Sequence, residues 1–237
     1  MSSLVLCPQP AHSNSICDVK TDTQSQFDQV FATLLQRGLL LESDPKLPSV
    51  SGLITGEPLR GSWWSHPQAQ TIFQINERLA DHEDVLITKL VSGKITFVHR
   101  RLWAELFAIG TARESWQTTG LSTGAKRLLK SVDQRGSVRT DQLIFSKSFK
   151  PGELARELEK RLLVQSEEFH TESGAHAKLL QTWQHWSNRA GFQPQEIALT
   201  SAKSDLEDTI RKLNEEYHAL AVLPWQSVRR SRRSDEN

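Results

Sequence analysis

Apolar residues along the chain recur with two periods, one near that of a helix and one near that of a strand, in runs separated by Gly, Pro and Ser. Phe27, Val30, Phe31, Leu34 and Leu35 predict an amphipathic helix that begins near Ser25 and stops at Arg37-Gly38. The Pro- and Gly-rich run 43–62 reads as a long irregular connection of the kind that borders sites. Ile72, Ile75 and Leu79 place the next helix over Gln68 to Ala80, with Pro67 at its start. Val85 to Val91 and Ile95 to His99 are rich in β-branched residues, and Ser92-Gly93 between them predicts a hairpin. Leu102, Trp103, Leu106 and Ile109 supply a helix to cover that ribbon, and Thr111 to Thr123 links onward. Residues 25–121 therefore form a helix/β-hairpin domain. Its order of helix, hairpin and helix suggests a unit like the one that follows it, without a residue-level repeat.

In the second half, Ser122 or Thr123 caps a helix with Leu128, Leu129 and Val132 on one face and Arg135-Gly136 as its stop. Ser137 to Ile144 is expected as a short second helix with Thr140 or Asp141 near its cap, and Phe145 to Lys150 as a turn. Pro151 suits a first helical turn and opens a third helix through Lys160, with Leu154 and Leu158 inward. Leu162 to His170 reads as extended and Thr171 to Gly174 as a turn. A closing helix over Ala175 to Ala190 carries a core stripe of Leu179, Trp183 and Trp186. This order over 122–191 is that of a winged helix-turn-helix, whose third helix enters the major groove. In 192–227, Ala202 to Leu213 forms a further amphipathic helix that packs on the body or mediates a homodimer contact. Residues 1–24 read as a mobile arm, and 228–237 as a basic tail that attracts phosphate or solubilises the end through Arg229, Arg230, Arg232 and Arg233. The predicted class is α+β, mainly helical.

Charge changes the picture locally. The whole chain carries a net +1, yet residues 122–163 hold ten Lys and Arg against five Asp and Glu, an excess of +5. A concentrated patch of this kind is a phosphate footprint, and double-stranded DNA is the expected partner. Arg139, Lys150, Arg156, Lys160 and Arg161 are the candidate contacts, whereas Glu157 and Glu159 repel phosphate unless they point sideways. Lys94, His99, Arg100 and Arg101 serve either as phosphate contacts or as charged protection of a strand edge. Trp63-Trp64 is read as core or loop-pinning, with base stacking as the alternative.

Glu167, Glu168, His170, Glu172 and His176 are the densest set of possible proton carriers or ligands, but their spacing fits no closed metal pattern. Capping by Thr171 or Ser173 and a turn at Gly174 account for the segment, so no metal and no cofactor is expected. Cys7 and Cys17 form neither a CxxC nor a disulfide framework, which suits a reducing compartment. Met1 to Leu6 lacks the features of a signal peptide, and no run is long enough for a bilayer, so a cytoplasmic protein without membrane contact is expected.

Arg127-Leu128-Leu129 through Ser137-Val138-Arg139-Thr140, the step from Glu157-Leu158-Glu159 to Leu163, and Glu167 through His176 resemble the winged-helix part of proteins related to AlkZ and YcaQ, bacterial DNA glycosylases. The resemblance covers roughly the second half of the chain. It implies winged-helix units and hydrolysis of the glycosidic bond of damaged or crosslinked bases, through a Gln-x-Gln or Gln-x-Asp motif. Gln68-Ala69-Gln70, following His66-Pro67, matches the first form, so Gln68 and Gln70 are the implied catalytic pair that positions a water at the anomeric carbon. Those enzymes are considerably longer. The leading expectation is accordingly a non-enzymatic DNA-binding protein, regulatory or repair-associated, and the alternative is a glycosylase of that type.

Overall fold

The computed structural model describes residues 16–143, 150–172 and 174–226, with side chains described from Thr23 onward. Cys7, Ile144, Ser173, the part of the expected Phe145 to Lys150 turn from Phe145 to Phe149, which includes Lys147, and the basic tail lie outside the described residues. The first helix, α1 (Ile16–Arg37), starts inside the stretch expected to be an arm. Its middle turns are tied to the body, because Arg78 donates to the Gln24 amide oxygen at 2.8 Å and its guanidinium lies 3.9 Å from the Phe27 ring centre.

After α1 come β1 (Leu39–Leu41), α2 (Val50–Thr55), α3 (Ala69–Ala80), β2 (Val85–Lys89) and β3 (Ile95–His99). The helix α2 lies within the connection expected to be irregular: Ser49 caps it by accepting from Gly52 N, and Val50 and Ile54 are buried. The three strands form an antiparallel sheet in the order β1-β3-β2. Alternate side chains leave a strand on opposite faces, and both faces here are covered. Leu40, Val85 and Phe97 join Leu34, Ile72, Ile75 and Leu79 in a core beneath α1 and α3. Leu39, Leu41, Leu86 and Val98 join a second core on the other face.

Two helices, α4 (Trp103–Thr111) and α5 (Ser115–Thr118), lead to the second half. There α6 (Thr123–Arg135), β4 (Ser137–Arg139), α7 (Pro151–Glu159), β5 (Gln165–His170) and β6 (His176–Gln181) follow. The second sheet has the order β4-β6-β5, the same arrangement as the first. Each half thus runs helix, short strand, helical segment, hairpin, with the short strand paired to the last. Leu128, Val132, Val138, Leu154, Leu158 and Leu180 form the core of the second half.

Two expectations fail here. Over the described part of the expected helix from Ser137 to Ile144, residues 137–143, there is no α-helix: Ser137 to Arg139 pair with Gln181 to Leu179, and Thr140–Gln142 make a single 3-10 turn. The closing helix does not begin at Ala175. Residues 176–181 pair in full antiparallel register with β5, from His170↔His176 to Gln165↔Gln181, so sheet pairing overrides their helical spacing. The helix α8 (Trp183–Arg189) starts only after Thr182, whose hydroxyl accepts from His185 N at 3.1 Å.

The two halves meet through the second core, where α4, α8 and α9 (Leu199–Tyr217) bring Trp103, Leu106, Trp183, Trp186, Leu206 and Ile210 together. The apolar face of α9 is therefore used within the chain. Trp183 lies directly over Gly110 of α4 and donates to the Leu162 carbonyl at 2.7 Å. Among the described residues, no helix is long and apolar enough to cross a membrane.

Candidate nucleic-acid interface

The basic excess of 122–163 is carried by α6 and α7. The helix α6 is opened by Ser122, whose hydroxyl accepts from Ala125 N at 3.1 Å, and closed by Gly136 at φ +76. Its buried residues Ala125, Leu128, Leu129 and Val132 lie on one side. At about 100° per residue, Lys126, Arg127 and Lys130 fall on the opposite side, and all three are exposed. On α7 the buried residues are Leu154, Ala155, Leu158 and Glu159, and the exposed cations are Arg156 and Lys160.

The two glutamates of α7 that threatened to repel phosphate are both turned elsewhere. Glu157 accepts from Ser122 N at 2.8 Å and from the Ser122 hydroxyl at 2.7 Å. This contact sets the start of α6 beside the last turn of α7, so Lys126 lies about 6 Å along its helix from a contact that Arg156 and Lys160 flank in sequence. Glu159 is only 3% exposed and reaches across to Lys178 of β6 at 2.5 Å and Lys89 of β2 at 2.9 Å. Burial pushes its carboxyl upward, but the ammonium groups of Lys178 and Lys89 outweigh that and hold it below the usual carboxylate range.

The remaining carboxylates of the segment are paired as well: Asp133 with Arg113 at 2.6 Å, Asp141 with Arg139 at 2.8 Å, and Glu153 with Lys150 at 3.3 Å. By contrast Lys126, Arg127, Lys130, Arg135, Arg156 and Lys160 are exposed and have no side-chain partner among the described residues. Six cations of the patch therefore have no carboxylate in contact among the described residues, while Glu157 keeps its charge against Ser122.

The five predicted contacts divide into three groups. Arg156 and Lys160 stand free, although the Lys160 stem passes beside Gly93 of the first half. Lys150 and Arg139 face solvent in part but are committed to Glu153 and Asp141, and Arg139 also lies 4.5 Å from the Phe169 ring centre. Arg161 is occupied internally, donating to the carbonyls of Trp116, Gln117 and Thr119 at 3.2, 3.2 and 2.6 Å. Lys126, Arg127 and Lys130 contribute to the charge excess of the sequence without a role assigned to them there; their helical angle relative to the buried leucines is the signal that selects them.

Basic residues of the first hairpin serve the fold. Lys94 pairs with Asp44 at 2.6 Å, Arg100 with Asp84 at 3.5 Å, and Arg101 donates to the Gln36 carbonyl at 3.0 Å. In the second hairpin, Glu167 pairs with Arg189 and Glu168 with Lys178, while the His170 and His176 rings are cross-strand neighbours at 4.4 Å. No group of His, Cys, Asp and Glu among the described residues is placed to hold a metal ion.

Gln68 and Gln70 lie at the start of α3, Gln68 half-buried as its cap residue and Gln70 exposed. Neither side chain has a hydrogen bond among the described residues, and two positions apart on a helix they diverge by about 200°. The cavity of about 360 Å³ between β2 and β5 is lined by Glu42, Asn76, Lys89, Gln165 and Lys178, at the opposite end of α3. The structure thus does not bring the two glutamines together at that cavity. Burial raises the pKa of Glu42 at its edge, countered by a hydrogen bond with Trp63.

Comparison with protein-family models, with curated proteins and with solved structures finds no match for this chain.

Proposed function

We propose that the chain is a non-enzymatic protein that binds double-stranded DNA and is built from two winged-helix units. The shared element order and the matching strand orders of the two sheets support the duplicated plan. The observation that carries the DNA reading is the asymmetry of pairing over residues 122–163. All five carboxylates have partners, while Lys126, Arg127, Lys130, Arg156 and Lys160 on two adjoining helices have none. Unpaired cations on a rigid helical surface are the arrangement that exchanges counterions for phosphate.

Glu159 docks the inward side of the C-terminal end of α7 on the first unit, so DNA meets the outward side that carries Arg156 and Lys160 together with the outer face of α6. The glycosylase alternative gains no such support, because Gln68 and Gln70 diverge at the start of α3, away from the cavity at its other end, and the nearby His66 ring accepts from the Gln68 backbone N–H. Fluorescence anisotropy with a labelled blunt duplex tests the reading. Replacing Lys126, Arg127, Lys130, Arg156 and Lys160 by Gln should abolish binding at moderate salt with the fold intact. Undiminished affinity in that variant would reject the proposal.

A further inference from the structure

We propose that Trp64 and Phe73 form a stacking platform for an unpaired nucleobase, so that the first unit holds a single-stranded segment while the second holds duplex phosphate. The inference rests on the nucleic-acid reading above and adds a separate site to it. Trp63 and Trp64, adjacent in sequence, have opposite fates. Trp63 is 5% exposed and belongs to the core under α3, whereas Trp64 is 64% exposed. The two indoles stack at 4.1 Å with 23° between their planes, and Ser62 accepts from Trp64 N, so the outer ring rests on a fixed inner one. Phe73, 38% exposed on α3, lies 5.9 Å from Trp64. An aromatic face held open to solvent in one orientation has already met the ordering cost that stacking a base requires.

The surroundings select a base over a protein partner. A stable protein interface needs about 800 Å² from each side, and two aromatic rings supply at most about 500 Å². One base needs only one or two ring faces. From Pro58 to Asn76 the chain holds no Asp or Glu, although the sequence contains 28 of them. Arg60 is exposed there without a partner among the described residues, and Gln70 and Gln74 present amides on the same helix as Phe73. The site therefore offers a ring face and hydrogen-bonding amides, with Arg60 in the same run and the exposed carboxylates Glu57 and Glu77 just outside it.

All seven tryptophans lie among the described residues, and Trp64 is the exposed one, so it dominates the emission that acrylamide can quench. A short oligothymidine strand should shield that emission from acrylamide. Trp64→Leu, which keeps an apolar cover over Trp63, should weaken single-strand binding about tenfold, Trp64→Phe should recover part of the loss, and blunt-duplex affinity should stay the same in both. If emission remains equally quenchable at saturating strand, or Trp64→Leu binds the strand as the parent does, the platform is overturned; with duplex binding intact, that result leaves the rings as a protein contact. Failure to bind either strand or duplex would overturn this inference and the DNA reading together.

Discussion

Lys89 on the first sheet lies 2.9 Å from the Glu159 carboxylate of the second unit, and the other oxygen of that carboxylate lies 2.5 Å from Lys178. One buried acid thus holds a cation from each half. Its removal leaves the Lys89 ammonium without its counter-charge and Lys178 with only the exposed Glu168, the condition in which breaking an ion pair is costly. Glu159→Gln should lower stability by about 3 kcal/mol, read from urea unfolding at neutral pH. The Glu159 carboxyl is held below its unfolded value, so its contribution is present above about pH 4.3 and is lost as pH falls through the folded value. The acid limb of the stability curve should therefore flatten in Glu159→Gln. An equally steep limb would show that other carboxylates govern acid unfolding.

Gly110 leaves no room for a side chain. A Cβ there would lie 2.2 Å from Trp183 Nε1 and 2.3 Å from Cε2. Trp183 cannot swing aside cheaply, since its indole N–H is bonded to the Leu162 carbonyl and its ring packs edge-on to Trp186. Gly110→Ala should cost about 3 kcal/mol by overpacking, seen as a lowered thermal midpoint. Gly152→Ala, at a position where a Cβ meets open space, should change stability by less than about 1 kcal/mol.

Arg161 and Arg156, both expected to touch DNA, should behave differently. Arg161→Ala strands three carbonyls near the buried Gln117 and should lower the thermal midpoint while leaving duplex affinity of the folded protein unchanged. Arg156→Ala should do the reverse, weakening duplex binding without a measurable change in midpoint. Equal effects of the two substitutions on binding would contradict the division drawn between them.

Several elements were legible because their signals are local. Ser122 and Gly136 bracket α6, Pro151 opens α7, and Ser92-Gly93 turns the first hairpin, each through chemistry contained within a few residues. The strand His176–Gln181 was not legible, since its spacing suits a helix and only its partners β5 and β4, distant in sequence, decide otherwise. The helix α2 was hidden by the prolines and glycines around it, although Ser49 is a good cap. At the interface, sequence located the charge but not its availability. Nothing near Arg161 in the sequence reveals the carbonyls of α5 that consume it, and nothing near Glu159 reveals Lys89, which lies in the other half of the chain. The divergence of Gln68 and Gln70 follows from helix geometry alone once α3 is placed.

The salt dependence of blunt-duplex binding tests the central claim most directly. For the parent protein, the logarithm of the association constant should fall linearly with the logarithm of salt concentration, and removing one cation that neutralises a phosphate should reduce the slope by about 0.9. Lys126→Gln, Lys130→Gln, Arg156→Gln and Lys160→Gln should each flatten that slope, whereas Arg139→Gln and Arg161→Gln should leave it unchanged. A parent slope near zero, or a slope that responds to Arg161 and not to Arg156 and Lys160, would contradict the account.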